Sequence, residues 1–203
     1  VGRHGGRATV AVGPFTAGDN RPEPAFSTMK VPLAIAALRQ DQAFYPDAEA
    51  AVTRSDNPAA HRMFGQVPAA SYEGVIREAG ARTTTPAGYQ MGTMWTTSDQ
   101  AEFASGLRCV AGYEPVLDMM GRIVDYQHWG LGRIGGARFK GGWNHHEGGH
   151  LARQFGLIPG PNGDIAVAIT AHSPKGHEGS FAMLDELANG LSAMRGDLPT
   201  SRC

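Results

Sequence analysis

The chain has 203 residues, enough for one domain of ordinary size that buries a real core. Its formal net charge of -1 offers no electrostatic attraction to nucleic acid or to an anionic membrane. The 28 glycines and 13 prolines, with only 18% charged residues, fit a loop-rich enzyme-like domain better than a helical bundle or a disordered chain. No apolar run reaches the length of a membrane span, and the opening "VGRHGGRATV" lacks a hydrophobic signal core.

In chain order, alternation in "ATVAVGPF" (8–15) predicts a strand, and "PAF" leads into a largely buried helix beginning near Ser27, with Pro32 tolerated in its first turns. Residues 46–64 read as two short helices split by a turn at Ser55, Asp56 and Asn57, with Pro58 suited to the start of the second. A helix over 68–81 closes at Gly80, 82–95 is loop, and 96–110 is a helix capped by Thr97 or Ser98. From about residue 134 the texture changes to strands in "ARFKGGW", "LARQFGLI" and 164–173, with "PGPNG" (159–163) as a hairpin turn. An amphipathic helix over 180–194 presents Phe181, Leu184, Leu187 and Leu191 on one face. One strand, a helical block, then three strands and a helix imply an antiparallel sheet with an inserted all-helical lobe. Cys109 and Cys203 are open to one disulfide or to two separate thiols.

The chemistry begins with "STMK" (27–30). A serine hydroxyl needs a base, and three positions on in a helix Lys30 lies on the same side as Ser27. Burial lowers a lysine's pKa into the range where it accepts a proton, and backbone N–H groups at a helix start suit a developing oxyanion. Alone, the motif is more often a helix cap followed by an unrelated lysine. It is followed, however, by "SDN" (55–57) and "KGGW" (140–143), in the order S-x-x-K, S-D-N, K-[TS]-G.

On these three motifs and their strand, turn and helix context the chain resembles the active-site serine β-lactamases and penicillin-binding proteins, most nearly the class A-like serine hydrolases. The resemblance reaches nearly the whole chain. It implies an α/β (α+β) fold in one domain, with sheet parts about 1–26 and 134–203 and a reduced helical lobe about 27–133. Ser27 then resembles the acylated nucleophile, Lys30 its proton acceptor, Ser55 the proton relay to the leaving nitrogen, and Asn57 the side chain that holds the substrate amide. Lys140 resembles the cation that attracts a substrate carboxylate and supports Ser55, and Asp56 is structural. Gly142 and Trp143 belong to the substrate edge, the N–H groups of Ser27 and Trp143 forming the oxyanion hole. The implied partner is a β-lactam or peptidoglycan-like amide; no cofactor, metal or nucleic acid is expected, and a monomer outside the cytoplasm is.

Departures from the family pattern are informative. Gly141 stands where Thr or Ser is usual, so one hydroxyl contact to a carboxylate is missing. Only 28 positions separate Ser27 from Ser55, which predicts a trimmed lobe. The stretch 81–100, where an Ω-loop glutamate would activate the deacylating water, contains no glutamate; Glu78 and Glu102 flank it within helices, and Gln90 is the only weak substitute. A transacylase using the same acyl-enzyme, or a relative that binds without catalysis, stays open beside a slow hydrolase.

The remaining polar clusters have plainer readings. "NHHEGGH" (144–150) lacks the helical spacing of a zinc site and reads as a polar loop between strands. His172 and His177 read as surface histidines, Met119 and Met120 as core, and Tyr126, His128 and Trp129 as a loop under the sheet, with lining of the cleft by one of these aromatics as the alternative. Arg153 is expected at a solvated strand position or on an anionic substrate.

Overall fold

The computed structural model describes residues 2–82 and 90–203. Five strands form one antiparallel sheet in the order β2-β1-β7-β6-β5: β1 (Arg7–Val12), β2 (Phe15–Gly18), β5 (Arg138–His146), β6 (Gly149–Gly160) and β7 (Gly163–Ser173). The single strand expected over 8–15 is a hairpin. Gly13, at φ 54°, turns the chain, and Phe15 on the returning strand is 66% exposed, so the apolar alternation runs past the end of the buried strand. A second small pairing joins β3 (Glu23–Pro24) to β4 (Met94–Trp95).

Between β3 and β5 lie α1 (Lys30–Gln40), α2 (Tyr45–Arg54), α3 (Asn57–Phe64), α4 (Ala69–Glu78), α5 (Thr97–Gly106) and α6 (Glu114–Met120). Helix α1 is buried from Lys30 to Leu38 and packs against α2, α3, α4 and α6. Each fully buried Leu or Ile here contributes about 1.5–3 kcal/mol, which is what holds a helix whose first residue is a buried lysine. Thr96, one residue before the expected caps, caps α5 by accepting from the Asp99 N–H. Helix α6, absent from the sequence reading, starts with Pro115 in its first turn and buries Met119 and Met120 completely.

The sheet is covered on both faces. Along β6, Arg153 reaches Gln100 of α5, whereas His150 and Gln154 face the other way, His150 bonding Ser180 of α7 (Gly176–Met194). Trp95, Phe103 and Phe155 stack edge-on or tilted at 5.3–6.2 Å beneath α5. Cys109 and Cys203 form a disulfide with a Cα–Cα separation of 5.7 Å, fastening residue 203 to the end of α5, where the Cys203 N–H also donates to the Ser105 carbonyl. No described helix is long and apolar enough to cross a membrane.

Candidate active site

Ser27 does not cap an α-helix. It is the second residue of a 3-10 turn, Phe26–Met29, and α1 begins only at Lys30. Phe26 sits at φ 49°, a left-handed conformation costing a non-glycine residue about 1–3 kcal/mol. The turn is held by three bonds: Ala25 N–H to the Thr93 carbonyl (2.7 Å), Thr28 N–H to the Ala25 carbonyl (3.2 Å) and Thr28 Oγ1 to that same carbonyl (2.5 Å). The result is a half-buried Ser27 whose Oγ has no hydrogen-bond partner among the described residues.

The other motif residues converge by direct contacts. Lys30 Nζ donates to the Ser55 carbonyl (2.6 Å) and to Asn57 Oδ1 (2.7 Å), and Lys140 Nζ donates to Ser55 Oγ and to the Gly141 carbonyl (2.8 Å). Both lysines are fully buried. Burial lowers the Lys30 pKa to about 8, the Asp56 charge opposing the shift. Lys140 is held well below the usual lysine range, first by burial and then by the positive charge of Lys30. Asn57, with Oδ1 committed to Lys30, is left with its amide N–H groups to offer. Ser55 is itself left-handed, at φ 58°, ending α2, while Asp56 caps α3 by accepting from the Ala59 N–H at 2.8 Å.

Strand β5 is the sheet edge next to this cluster, and its alternation sorts consecutive motif residues to opposite faces. Lys140 and Gly142 face the Ser27 side. A β-carbon on Gly142 would lie 2.9 Å from the Ala25 carbonyl oxygen, from Phe26 Cβ and from the Ser27 nitrogen, so only glycine lets the strand approach the Ser27 turn this closely. Trp143 follows, its ring on the opposite face at 5.4 Å edge-on to Trp129. Gly141 also faces that way, and a β-carbon there would meet Trp129 Cη2 at 2.9 Å.

Arg153 is neither solvated nor at the substrate. Paired across the sheet with Gly142 and fully buried, it donates to the carbonyls of Glu23 (2.8 Å) and Pro24 (3.2 Å) and to Gln100 Oε1 (3.1 Å). Gln100 in turn donates to Thr28 Oγ1 at 2.8 Å. This buried polar chain braces the Ser27 turn from behind. Thr28 and Gln100 were not singled out by the sequence; the one available signal was that Thr28 is a spacer inside "STMK".

The histidines also differ from expectation. β5 runs through His146 and β6 starts at Gly149, so the supposed loop is only Glu147–Gly148, both at positive φ. His172 is buried and contacts the His146 carbonyl at 2.7 Å, whereas His177 is exposed. Among the described residues no group of three His, Cys, Asp or Glu is arranged to hold a metal. Tyr126 is largely exposed rather than packed under the sheet. Glu78 and Glu102 are tied to Arg39 and Arg202, and Gln90 bonds Tyr72. Residues 83–89 of the expected Ω-loop lie outside the described residues.

No protein-family model and no curated protein matches the sequence. Solved structures do match by shape. The TLA-3 extended-spectrum β-lactamase superposes with a TM-score of 0.76 at 15% identity, covering 93% of this chain and 92% of that one. A β-lactamase from Sphaerobacter thermophilus gives 0.72 at 19% identity (94% and 92%). A class A β-lactamase representative from Bacteroides cellulosilyticus gives 0.74 at 12% identity (90% and 88%). Near-complete overlap in both directions, at identities that speak to shape alone, gives this chain the α/β (α+β) fold of the class A β-lactamases, an antiparallel sheet flanked by helices.

Proposed function

We propose that the protein is a serine hydrolase of the β-lactamase and penicillin-binding type, acylated on Ser27 by a β-lactam or D-alanyl-peptide-like amide and slow to release the acyl group. The observation that carries this reading is the pairing of buried Lys30 with Asn57 and of buried Lys140 with half-buried Ser55, set beside a Ser27 turn that strand β5 touches at Gly142. Lys30, with its pKa lowered to about 8, has a small fraction of its amine free at neutral pH and most of it free above pH 8, able to take the Ser27 proton. Ser27 Oγ adds to the carbonyl carbon, and the N–H groups of Ser27 and Trp143 meet the oxyanion. The C–N bond then breaks as Ser55, supported by Lys140, passes a proton to the leaving nitrogen, giving a Ser27 ester and a free amine. Water later cleaves the ester, returning the serine and releasing the acid.

No glutamate occupies 81–100, Glu78 and Glu102 are held in ion pairs elsewhere, and Asp99, the carboxylate within that stretch, accepts from the Arg82 N–H and the Trp95 indole, so the second half-reaction is without the family's glutamate base. The Cys109–Cys203 bridge supports an oxidising compartment outside the cytoplasm. Intact-mass spectrometry after mixing with a fluorescent penicillin tests the reading. A long-lived adduct on wild type, lost in Ser27→Ala, is expected; an adduct or turnover that survives Ser27→Ala would refute it.

A further inference from the structure

Resting on that reading, we propose that Trp129 sets the substrate class: its indole stands where the third motif of the family presents a hydroxyl to the substrate carboxylate, so favoured donors carry that group masked as an ester or amide.

The steric part is direct. Any β-carbon at residue 141 would lie 2.9 Å from Trp129 Cη2, 3.3 Å from Cζ2 and 3.6 Å from Gln154 Cγ, so a threonine or serine has no room unless the ring leaves. The ring is fixed from several sides. Gln154 donates to the Trp129 carbonyl (2.8 Å) and accepts from the Leu131 N–H (2.7 Å), and the Gly130 N–H donates to Asp185 Oδ1 (2.6 Å). The indole itself stacks on Phe181 with centroids 4.3 Å apart and planes 16° from parallel.

The electrostatic part points the same way. Lys140 turns to the opposite face, onto Ser55 and the Gly141 carbonyl. Arg133 pairs with Asp185 at 3.5 Å, and Arg153 is buried behind the nucleophile turn. A carboxylate brought against Trp129 is therefore stripped of water beside an apolar ring with these cations committed elsewhere, whereas an ester or amide carries no charge to desolvate. The aromatic surface also continues. Trp143 and Phe181 line a pocket of about 470 Å³ with Asn144, His145, His150 and His177, which leaves space for the masking substituent. His150, buried against Ser180, is held neutral, its pKa lowered to about 4 by burial and by the neighbouring histidines.

A matched pair decides it: benzylpenicillin and its methyl ester, which differ only in the carboxylate. Both are reacted with wild-type protein at pH 8, above the ordinary imidazole range of about 6.5, and Ser27 acylation is followed by intact mass. The ester is expected to acylate about tenfold faster or more; an equal rate, or a faster acid, overturns the proposal. The same pair is titrated calorimetrically against Ser27→Ala, where the ester is expected to bind tighter by a similar factor. If neither compound labels wild type, the acylation reading falls while the binding ratio still decides the role of Trp129: tighter ester binding upholds it, and equal, acid-favouring or absent binding overturns it. Trp129→Leu alone, and Trp129→Leu with Gly141→Thr, are expected to move the ratio about tenfold toward the acid; a ratio that stays at the wild-type value in a folded variant overturns the assignment to this ring.

Discussion

The two faces of strand β5 are opposites. On the inner face Lys140, with Lys30, Ser55 and Asn57 around it, forms a charged network whose two lysines are fully buried. On the outer face, one and three residues further along, Gly141 and Trp143 lie in an aromatic layer with Trp129 and Phe181. The period-two alternation of a strand lets four consecutive residues, "KGGW", serve both. Burial does different work on each side. Inside, it lowers lysine pKa values, as the proposed base requires; outside, it fixes the rings proposed to select what docks there.

The harshest way to break this contrast is to remove the inner base. Lys30→Met keeps an unbranched apolar stem but has no amine, and it should slow Ser27 acylation by about 10²–10⁴, the usual worth of a positioned general base. The pH profile sharpens the test. Lys30 is protonated below its pKa of about 8 and free above it, so acylation should rise with pH through that value and level off above. Stopped-flow measurement with a chromogenic lactam reads both; a rate that falls across this range would assign the base elsewhere. Next in size is Gly142→Ala. The added methyl would press on Ala25, Phe26 and Ser27 at once, and a displacement near 1 Å at the nucleophile costs about 10²-fold in rate. Circular dichroism should show the fold intact, since the change is confined to one contact between the edge strand and the turn.

The convergence on the inner face was largely legible in the sequence because the three motifs fix residue type and spacing. Ser27, Lys30, Ser55, Asn57, Lys140 and Gly142 carry their meaning in "STMK", "SDN" and "KGG". The helices over 46–64 and the three later strands were legible for a similar reason, since their periodicity and punctuation are local. What was not legible depends on contacts between distant segments. Arg153 looked like a surface or substrate cation because nothing in "LARQF" announces that α5 and the chain before Ser27 will enclose it. His172 looked exposed for the same reason. Trp129, eleven residues before Lys140 in a glycine-rich stretch, gave no hint that its ring would take the place of a side chain at residue 141. The break between β1 and β2 was missed because Phe15 continues the apolar alternation although the chain has already turned.

Arg153 offers a break of another kind, in stability rather than chemistry. Arg153→Met would leave the carbonyls of Glu23 and Pro24 and the Gln100 amide without their donor, while also relieving the cost of burying a guanidinium whose pKa burial lowers to about 9. Unpaired buried groups cost about 1–3 kcal/mol each, and the loss of three acceptors' donor outweighs the relief of a guanidinium whose Nη2 is itself buried without a partner among the described residues, so a net loss of about 1–2 kcal/mol is expected in urea unfolding. Acylation should fall less than in Gly142→Ala, because Ala25 keeps its bonds to Thr93 and Thr28.

The smallest effect belongs to the outer face, and it is the one that separates the two faces most cleanly. Phe181 touches none of the motif residues of the inner network; it stacks on Trp129 at 4.3 Å and meets Trp143 edge-on at 6.3 Å. Phe181→Leu removes the stacking partner but keeps most of the apolar volume, a loss of about 0.5–1.5 kcal/mol in folding stability. The pH dependence of acylation should be unchanged, because the groups that lower the Lys30 pKa lie on the other side of the strand. The preference between carboxylate and ester donors should shrink only a few-fold, since Gln154 and Asp185 still hold the backbone around the indole. A shifted pH midpoint in Phe181→Leu would mean that the two faces are coupled through β5, and the division of labour along "KGGW" would have to be abandoned.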